Sequence, residues 1–331
     1  MEKLNNKLTS KLSLNYNTRK KIIGGTKSVF TTIFRLLILL SIGYIIIYPL
    51  FQMIVTSIKS EAAFYDAARV WIPSSTNIIY NYSKALYATD YWNGLTSTLF
   101  FEIVAGLIEV VTCSIVAYGF ARFKFKFKGL LMACLFATIL IPETMIIIPR
   151  MTNYSQMDIL GIFGLVDSLT GVDLRPNLID TPLAFWLPSL FAVGLRSGIL
   201  TYIYIQFFKG LPYELEEASW VDGAGPIKTF VSIAIPSSGV VFTTVIVFSI
   251  IWHWNDTFLS SMYLFKNFPL AVNLDRIEVT LGAMGFFTST NVDAQAVLMA
   301  SCILFLLPPL VLYMILQKRF IESIDRVGIT G

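Results

Sequence analysis

"ELEEASWVDGAGPIKTFVSIAIP" runs from Glu214 to Pro236. Three glutamates and an aspartate stand close together here, with small residues at Ala218, Ser219, Gly223, Ala224 and Gly225. The rest of the chain is oily. Of its 331 residues, 55% are hydrophobic and 14% charged, with a mean hydropathy of +0.68, whereas a soluble domain carries about 25% charged residues. The solvent for much of this chain is therefore expected to be lipid, and the acidic stretch must be an interruption with its own purpose.

On either side of it lie long apolar segments. Six can cross a bilayer, which takes about 20 helical residues: 29–57, 94–121, 129–149, 183–207, 236–262 and 293–317. In lipid the backbone must bond to itself, so these read as helices. The expected fold is an all-α polytopic membrane protein with six transmembrane helices. Its plan is a tail over 1–28, a six-helix membrane domain over 29–317 and a second tail over 318–331.

Lysine and arginine orient it. With the N-terminus inside, the cytoplasmic segments hold sixteen basic residues and the outer segments seven. Both termini and the 209–236 loop are thus expected in the cytoplasm. The seven basic residues of the N-terminal tail precede a long apolar helix, with no short apolar core and cleavage site, so the start is not read as a cleaved signal peptide. Beyond that tail no basic face is clustered enough for nucleic acid. The net charge is only +4, and Cys113, Cys134 and Cys302 sit in apolar runs without metal or redox spacing. The single histidine, His253, excludes a multi-histidine metal cluster and speaks against a catalytic triad. No metal site is expected. The outer loops, 58–93, 150–182 and 263–292, carry Trp71, Tyr80, Tyr82, Tyr87, Tyr91 and Trp92, either as an interfacial belt or as ligand-stacking rings.

The acidic stretch itself reads as a helix–turn–helix. Pro212 suits the first turn of a helix, on which Leu215, Ala218, Ser219 and Asp222 share a face. Gly223 can take positive φ and turn the chain. Pro226 opens a second helix with Phe230 and Ile233 on its apolar side, and Pro236 marks the bend into the fifth span. Small residues at 218, 219, 223 and 224 let another surface come close, and Glu217 and Asp222 can cap donors or meet a partner's basic groups. The alternative is an ordinary interfacial helix, although those usually carry a basic polar face.

Glu217-Ala218-Ser219, Asp222-Gly223-Ala224, Phe230, Ile233 and Pro236 also resemble the "EAA" loop of binding-protein-dependent ABC importer permeases, roughly E-A-A-x-x-D-G-A then F-x-x-I-x-x-P. Ser219 replaces the second alanine. The Asp-Gly-Ala form is most similar to the carbohydrate-uptake branch typified by the maltose-transporter permeases. So are "SIVAYGFARFKFKFKG" (Ser114–Gly129), "FFKGLPYELEEAS", Trp254-Asn255-Asp256 and "LPPLVLYMILQKRFI" (Leu307–Ile321). The last glycine lacks its usual lysine, and the outer loop around 164–182 is longer than usual.

The resemblance implies a type I ABC importer permease in a bacterial inner or plasma membrane. It implies an elbow seated in a cleft of a cytoplasmic ABC ATPase dimer, a second homologous permease, an extracytoplasmic solute-binding protein and a sugar substrate, an oligosaccharide in preference. The chain itself would bind no cofactor, with ATP-Mg on the partner ATPase; it has no phosphate-binding G-x-x-x-x-G-K-[ST] loop.

Charges inside spans are costly. Glu102 and Glu109 lie seven apart on one face of the second span, and Arg196 lies in the fourth. The glutamates are expected to face Arg196 or a watery cavity, either meeting sugar hydroxyls or forming a structural pair. Trp254, Asn255 and Asp256 offer sugar-binding chemistry, or an interfacial belt with a helix cap. Pro142 and Glu143 suggest a kink. The competing functions are an ion-coupled secondary transporter, which would need mid-membrane coupling charges and often inverted repeats, a membrane enzyme and a membrane scaffold.

Overall fold

A computed structural model of the chain describes residues 31–66, 71–158, 161–286 and 292–328, with side chains as far as Gln317. The expected tail over 1–28 lies outside the described residues. Those described are almost entirely helical. Three continuous helices are long and apolar enough to span a membrane: α1 (Thr31–Ile58), α4 (Tyr91–Arg122) and the first part of α16 (Val292–Gly328). The last runs through Pro308 and Pro309 and continues past Gln317, so the segment from 318 prolongs the sixth helix as far as Gly328.

Three expected spans are broken. The third bends by 101° between α5 (Lys128–Leu140) and α6 (Glu143–Ser155). Proline disfavours helical backbone in the residue before it and supplies no N–H, and Ile141 and Pro142 are both extended. The fourth is two helices, α8 (Leu183–Leu190) and α9 (Ser197–Gly210). Between them Ala192 and Arg196 take left-handed backbone. Arg196 therefore sits on a link, not inside a continuous span. The fifth is α12 (Gly239–Trp254) followed by a separate turn, α13 (Phe258–Tyr263). With each bent pair counted as one span, the described helices make up to five candidate crossings by length and composition.

The outer loops fold as well. They hold α2 (Glu61–Phe64), α3 (Ile78–Ala88), α7 (Ile162–Thr170), α14 (Leu270–Asp275) and α15 (Ile277–Ala283). Asn81 of α3 donates to the carbonyls of Ser57 and Lys59 at 2.8 and 2.9 Å, closing the end of α1. The long 150–182 loop is ordered by Asp158, which caps α7 at the amides of Phe163 and Gly164, and by Arg175 between Asp167 and Asp173.

α4 is the spine. Glycine and small residues bring neighbours close: a Cβ on Gly106 would stand 2.8 Å from Ser249 Oγ and 2.9 Å from His253 Cδ2. One core layer joins α4, α9 and α12 through Cys113, Tyr118, Leu200, Tyr204, Phe208 and Val245. A second gathers Phe101, Phe185, Leu195 and Tyr263 toward the opposite end.

Candidate functional site: a basic-clamped elbow and a buried charged cluster

The acidic stretch folds into two short helices. α10 (Glu214–Val221) carries Glu214, Glu216 and Glu217 in its first turn, where the helix dipole favours negative charge. It closes on Gly223 at φ +79°, whose amide bonds to Trp220 O while that of Ala224 bonds to Ser219 O. Gly225 is extended and Pro226 opens α11 (Pro226–Ser237) at its first position. Ser219 and Thr229 meet at 3.3 Å across the turn and tie the two helices together. α11 contains a π-helical turn, Phe230–Ala234, and bends 82° into α12 beyond Pro236.

Phe230 anchors the elbow. Its ring lies 4.8 Å from that of Tyr118 and 6.2 Å from that of Phe208, while Ile233 is half-buried. The charged anchor is Glu216, a residue that no sequence motif singled out, while Glu217 beside it stays exposed. Glu216 is 1% exposed and pairs with Arg122 Nε at 2.8 Å. Arg122 also donates to Leu211 O at 2.8 Å and lies 4.3 Å above the Tyr213 ring. Arg122 ends α4, so elbow and spine are riveted at one side chain. The two-turn α10 has no apolar stripe to mark its inner face, which is why the sequence left Glu216 hidden among its neighbours.

The opposite face of the elbow is open. Glu217, Ala218, Asp222, Gly223 and Pro236 are exposed, while Ser219 and Ala224 are partly covered. Val221 and Ile227 are 87% and 81% exposed.

Inside the membrane region, Glu102 and Glu109 do share a face of α4. They meet His253 and not Arg196. His253 Nδ1 lies 2.7 Å from Glu102 Oε2 and Nε2 lies 3.0 Å from Glu109 Oε2. Ser260 Oγ donates to Glu102 at 2.6 Å, and Ser197 Oγ donates to Glu109. All five residues are buried. Each imidazole–carboxylate contact needs a proton between its atoms. Two protons are thus held across two contacts: an imidazolium between two carboxylates, or a neutral ring beside one protonated glutamate. Glu102 falls in a π-helical turn of α4, Thr98–Ile103, a feature that often marks functional positions.

The remaining expected residues separate. Asp256 is buried as the cap of α13, accepting the amides of Leu259 and Ser260 at 3.2 and 2.9 Å. Trp254 is buried against Phe305, their centroids 5.7 Å apart. Asn255 is exposed and bonds back to Ile251 O. Arg196 is exposed, its guanidinium 5.0 Å above the Trp252 ring, which in turn stacks on Phe248 at 5.5 Å. His253 was a findable signal: a lone histidine in an apolar span, with two glutamates a helical repeat apart in another, begs for a partner. Among the described residues no cluster of histidine, cysteine and carboxylates is arranged to hold a metal.

Residues 110–326 match the family of binding-protein-dependent transport system inner membrane components. The chain is 25% identical over 288 residues to the sn-glycerol-3-phosphate transport system permease protein UgpE of Shigella flexneri, covering 85% of this chain and 91% of that one. It is 24% identical over 284 residues to the melibiose/raffinose/stachyose import permease protein MelC of Bacillus subtilis, covering 86% and 91%. Its fold matches a chain of a bacterial ABC transporter involved in the import of the acidic polysaccharide alginate, with a TM-score of 0.65 at 19% identity, over 88% of this chain and 96% of the other.

Proposed function

This chain belongs to the family of binding-protein-dependent transport system inner membrane components, and on that footing we propose that it conducts a sugar, an oligosaccharide in preference, driven through its 209–236 elbow. Membership makes it a non-catalytic, multi-pass inner-membrane permease subunit of an ABC importer. ATP is handled by a separate ATPase subunit, and a binding protein and a second permease complete the assembly. An ion-coupled secondary transporter is thereby set aside.

The observation that carries the coupling role is the two-sidedness of the elbow. Glu216 and Phe230 lock one side to the membrane helices, and buried Thr229 ties the two elbow helices together. Glu217, Ala218, Asp222 and Gly223 face outward beside Val221 and Ile227. Small residues with an apolar rim and two carboxylates suit a cleft on a soluble partner, here the ATPase dimer. Ser219 and Ala224 keep the turn narrow enough to enter, and Phe230, Ile233 and Pro236 hold its angle to α12.

The sugar reading draws on MelC, which is named for three oligosaccharides, and on the stacked pair Phe248–Trp252 under Arg196. An aromatic face covers the apolar side of a pyranose ring while a guanidinium takes its hydroxyls. Of the six path candidates, Arg196 and Asn255 are exposed, while Glu102, Glu109, Trp254 and Asp256 are buried. UgpE is named for sn-glycerol-3-phosphate, which makes that compound the informative competitor.

Two measurements test the reading. Ala218→Cys, in a background lacking Cys113, Cys134 and Cys302, is expected to form disulfides with single cysteines on the co-expressed ATPase in an ATP-dependent way. Absence of any cross-link, with uptake independent of the ATPase, would sink the coupling role. Proteoliposomes of the full complex are expected to accumulate melibiose, raffinose or stachyose; accumulation of sn-glycerol 3-phosphate alone would overturn the sugar.

A further inference from the structure

Two buried charged groups occur on one helix. At one end of α4, Arg122 holds Glu216, Leu211 O and Tyr213 of the elbow. Farther along, Glu102 and Glu109 hold His253 at the end of α12, Ser260 on α13 and Ser197 at the start of α9. Thirteen residues separate Glu109 from Arg122, about 20 Å of helix at roughly 1.5 Å per residue. We propose that Arg122 and Glu216 form the joint that passes elbow motion into α4, and that the Glu102–His253–Glu109 cluster is the grip by which α4 carries α9, α12 and α13 with it. This rests on the coupling role of the elbow proposed above and names the positioning residues behind it.

The geometry argues for a rigid link and against mere adhesion. A shift along a buried ion pair strands a charge, so the Arg122–Glu216 contact holds the elbow in register with α4. Arg122 is bound on three sides, by a carboxylate, a carbonyl and a ring, so the elbow cannot rotate without carrying the end of α4. At the far end His253 is held at both ring nitrogens, so α12 cannot slip along α4. The elements it grips are those whose spans are broken: the 191–196 link ends at Ser197, and α13 begins behind Asp256. Broken elements can swing if something moves them, and α4 is the one continuous helix touching all of them through polar contacts among the described residues. Carbohydrate need not touch Glu102 or Glu109 for them to matter.

The test uses the full complex in proteoliposomes, with the panel sugar that the wild type accumulates, measuring sugar moved per ATP hydrolysed. Arg122→Met and Glu216→Gln are each expected to lower that ratio at least tenfold, while the Ala218→Cys cross-link to the ATPase and ATP hydrolysis persist. Retained cross-linking separates this from failure of elbow docking. Arg122→Lys, which keeps the charge but loses the planar fork, is the milder variant should Arg122→Met not assemble, with an expected loss of about threefold or more. His253→Gln is expected to uncouple in the same way with an unchanged elbow cross-link. An unchanged ratio in assembled Arg122→Lys and His253→Gln complexes would refute the proposal. So would loss of the cross-link together with transport, which would reduce Arg122 to a fold contact of the elbow.

Discussion

Replacing Glu109 by alanine gives the sharpest energetic test of the buried cluster. Glu109 is fully buried and accepts from His253 Nε2 at 3.0 Å and from Ser197 Oγ. Without it, a ring N–H beside one remaining carboxylate and a serine hydroxyl both lose their acceptor. A stranded neutral donor costs about 1–3 kcal/mol, and breaking a buried charged pair costs about 3–5 kcal/mol in total. His253 can relax by giving up its second proton, which places the loss near the lower figure. Glu109→Gln keeps a carbonyl acceptor without the charge and is expected to lose roughly 1–3 kcal/mol. The assay is thermal unfolding of the purified complex, followed by loss of monodisperse protein. At roughly 2 °C per kcal/mol for a large chain, a loss near 3 kcal/mol means that Glu109→Ala is expected to melt about 6 °C lower. His253→Ala removes the same contact from the other side. The double variant should then fall short of the sum by about 1.5 kcal/mol or more, within the range seen for residues in one network. Additivity within about 0.5 kcal/mol, or a Glu109→Ala melt within about 2 °C of the wild type, would refute the network.

Two further substitutions probe close approach and turn geometry. Gly106→Val places carbon 2.8 Å from Ser249 Oγ and 2.9 Å from a His253 ring that is pinned at both nitrogens. The helices must part at a cost of about 1–3 kcal/mol, seen as a lower melting temperature of the complex and less monodisperse protein. A Cβ at position 223 would meet no atom within 4 Å, but the backbone sits at φ +79°, so Gly223→Val carries a conformational strain of about 1–2 kcal/mol. Its expected effect is weaker Ala218→Cys cross-linking to the ATPase, with Gly223→Asn closer to the wild type because asparagine tolerates this backbone.

Much of the elbow was legible from local chemistry. Gly223 and Pro226 behave as their backbone constraints require, and Phe230 is the apolar anchor that its setting in the stretch suggested. That Glu216 of the three glutamates turns inward was not legible. Helical neighbours point about 100° apart, and which one faces inward depends on how α10 docks on Arg122. The bend at Pro142 was signalled by the proline. The break at 191–196 was marked only by Pro188 before it and Gly194 within it; Ala192 and Arg196 adopt left-handed backbone against their own preference, and the hydropathy of 183–207 hides the interruption.

Sequence alone determined the class of molecule, and for a local reason. Lipid leaves the backbone no partner but itself, so apolar length dictates helix, basic residues point to the cytoplasmic side, and the elbow motif sits within a short run of residues. Tertiary structure alone decided which buried charges meet. His253 and Glu109 are 144 positions apart, and Arg122 and Glu216 stand on different helices. No period or spacing encodes a distance between such residues; it emerges only when glycine-lined helices pack and each stranded charge finds a partner within hydrogen-bond reach.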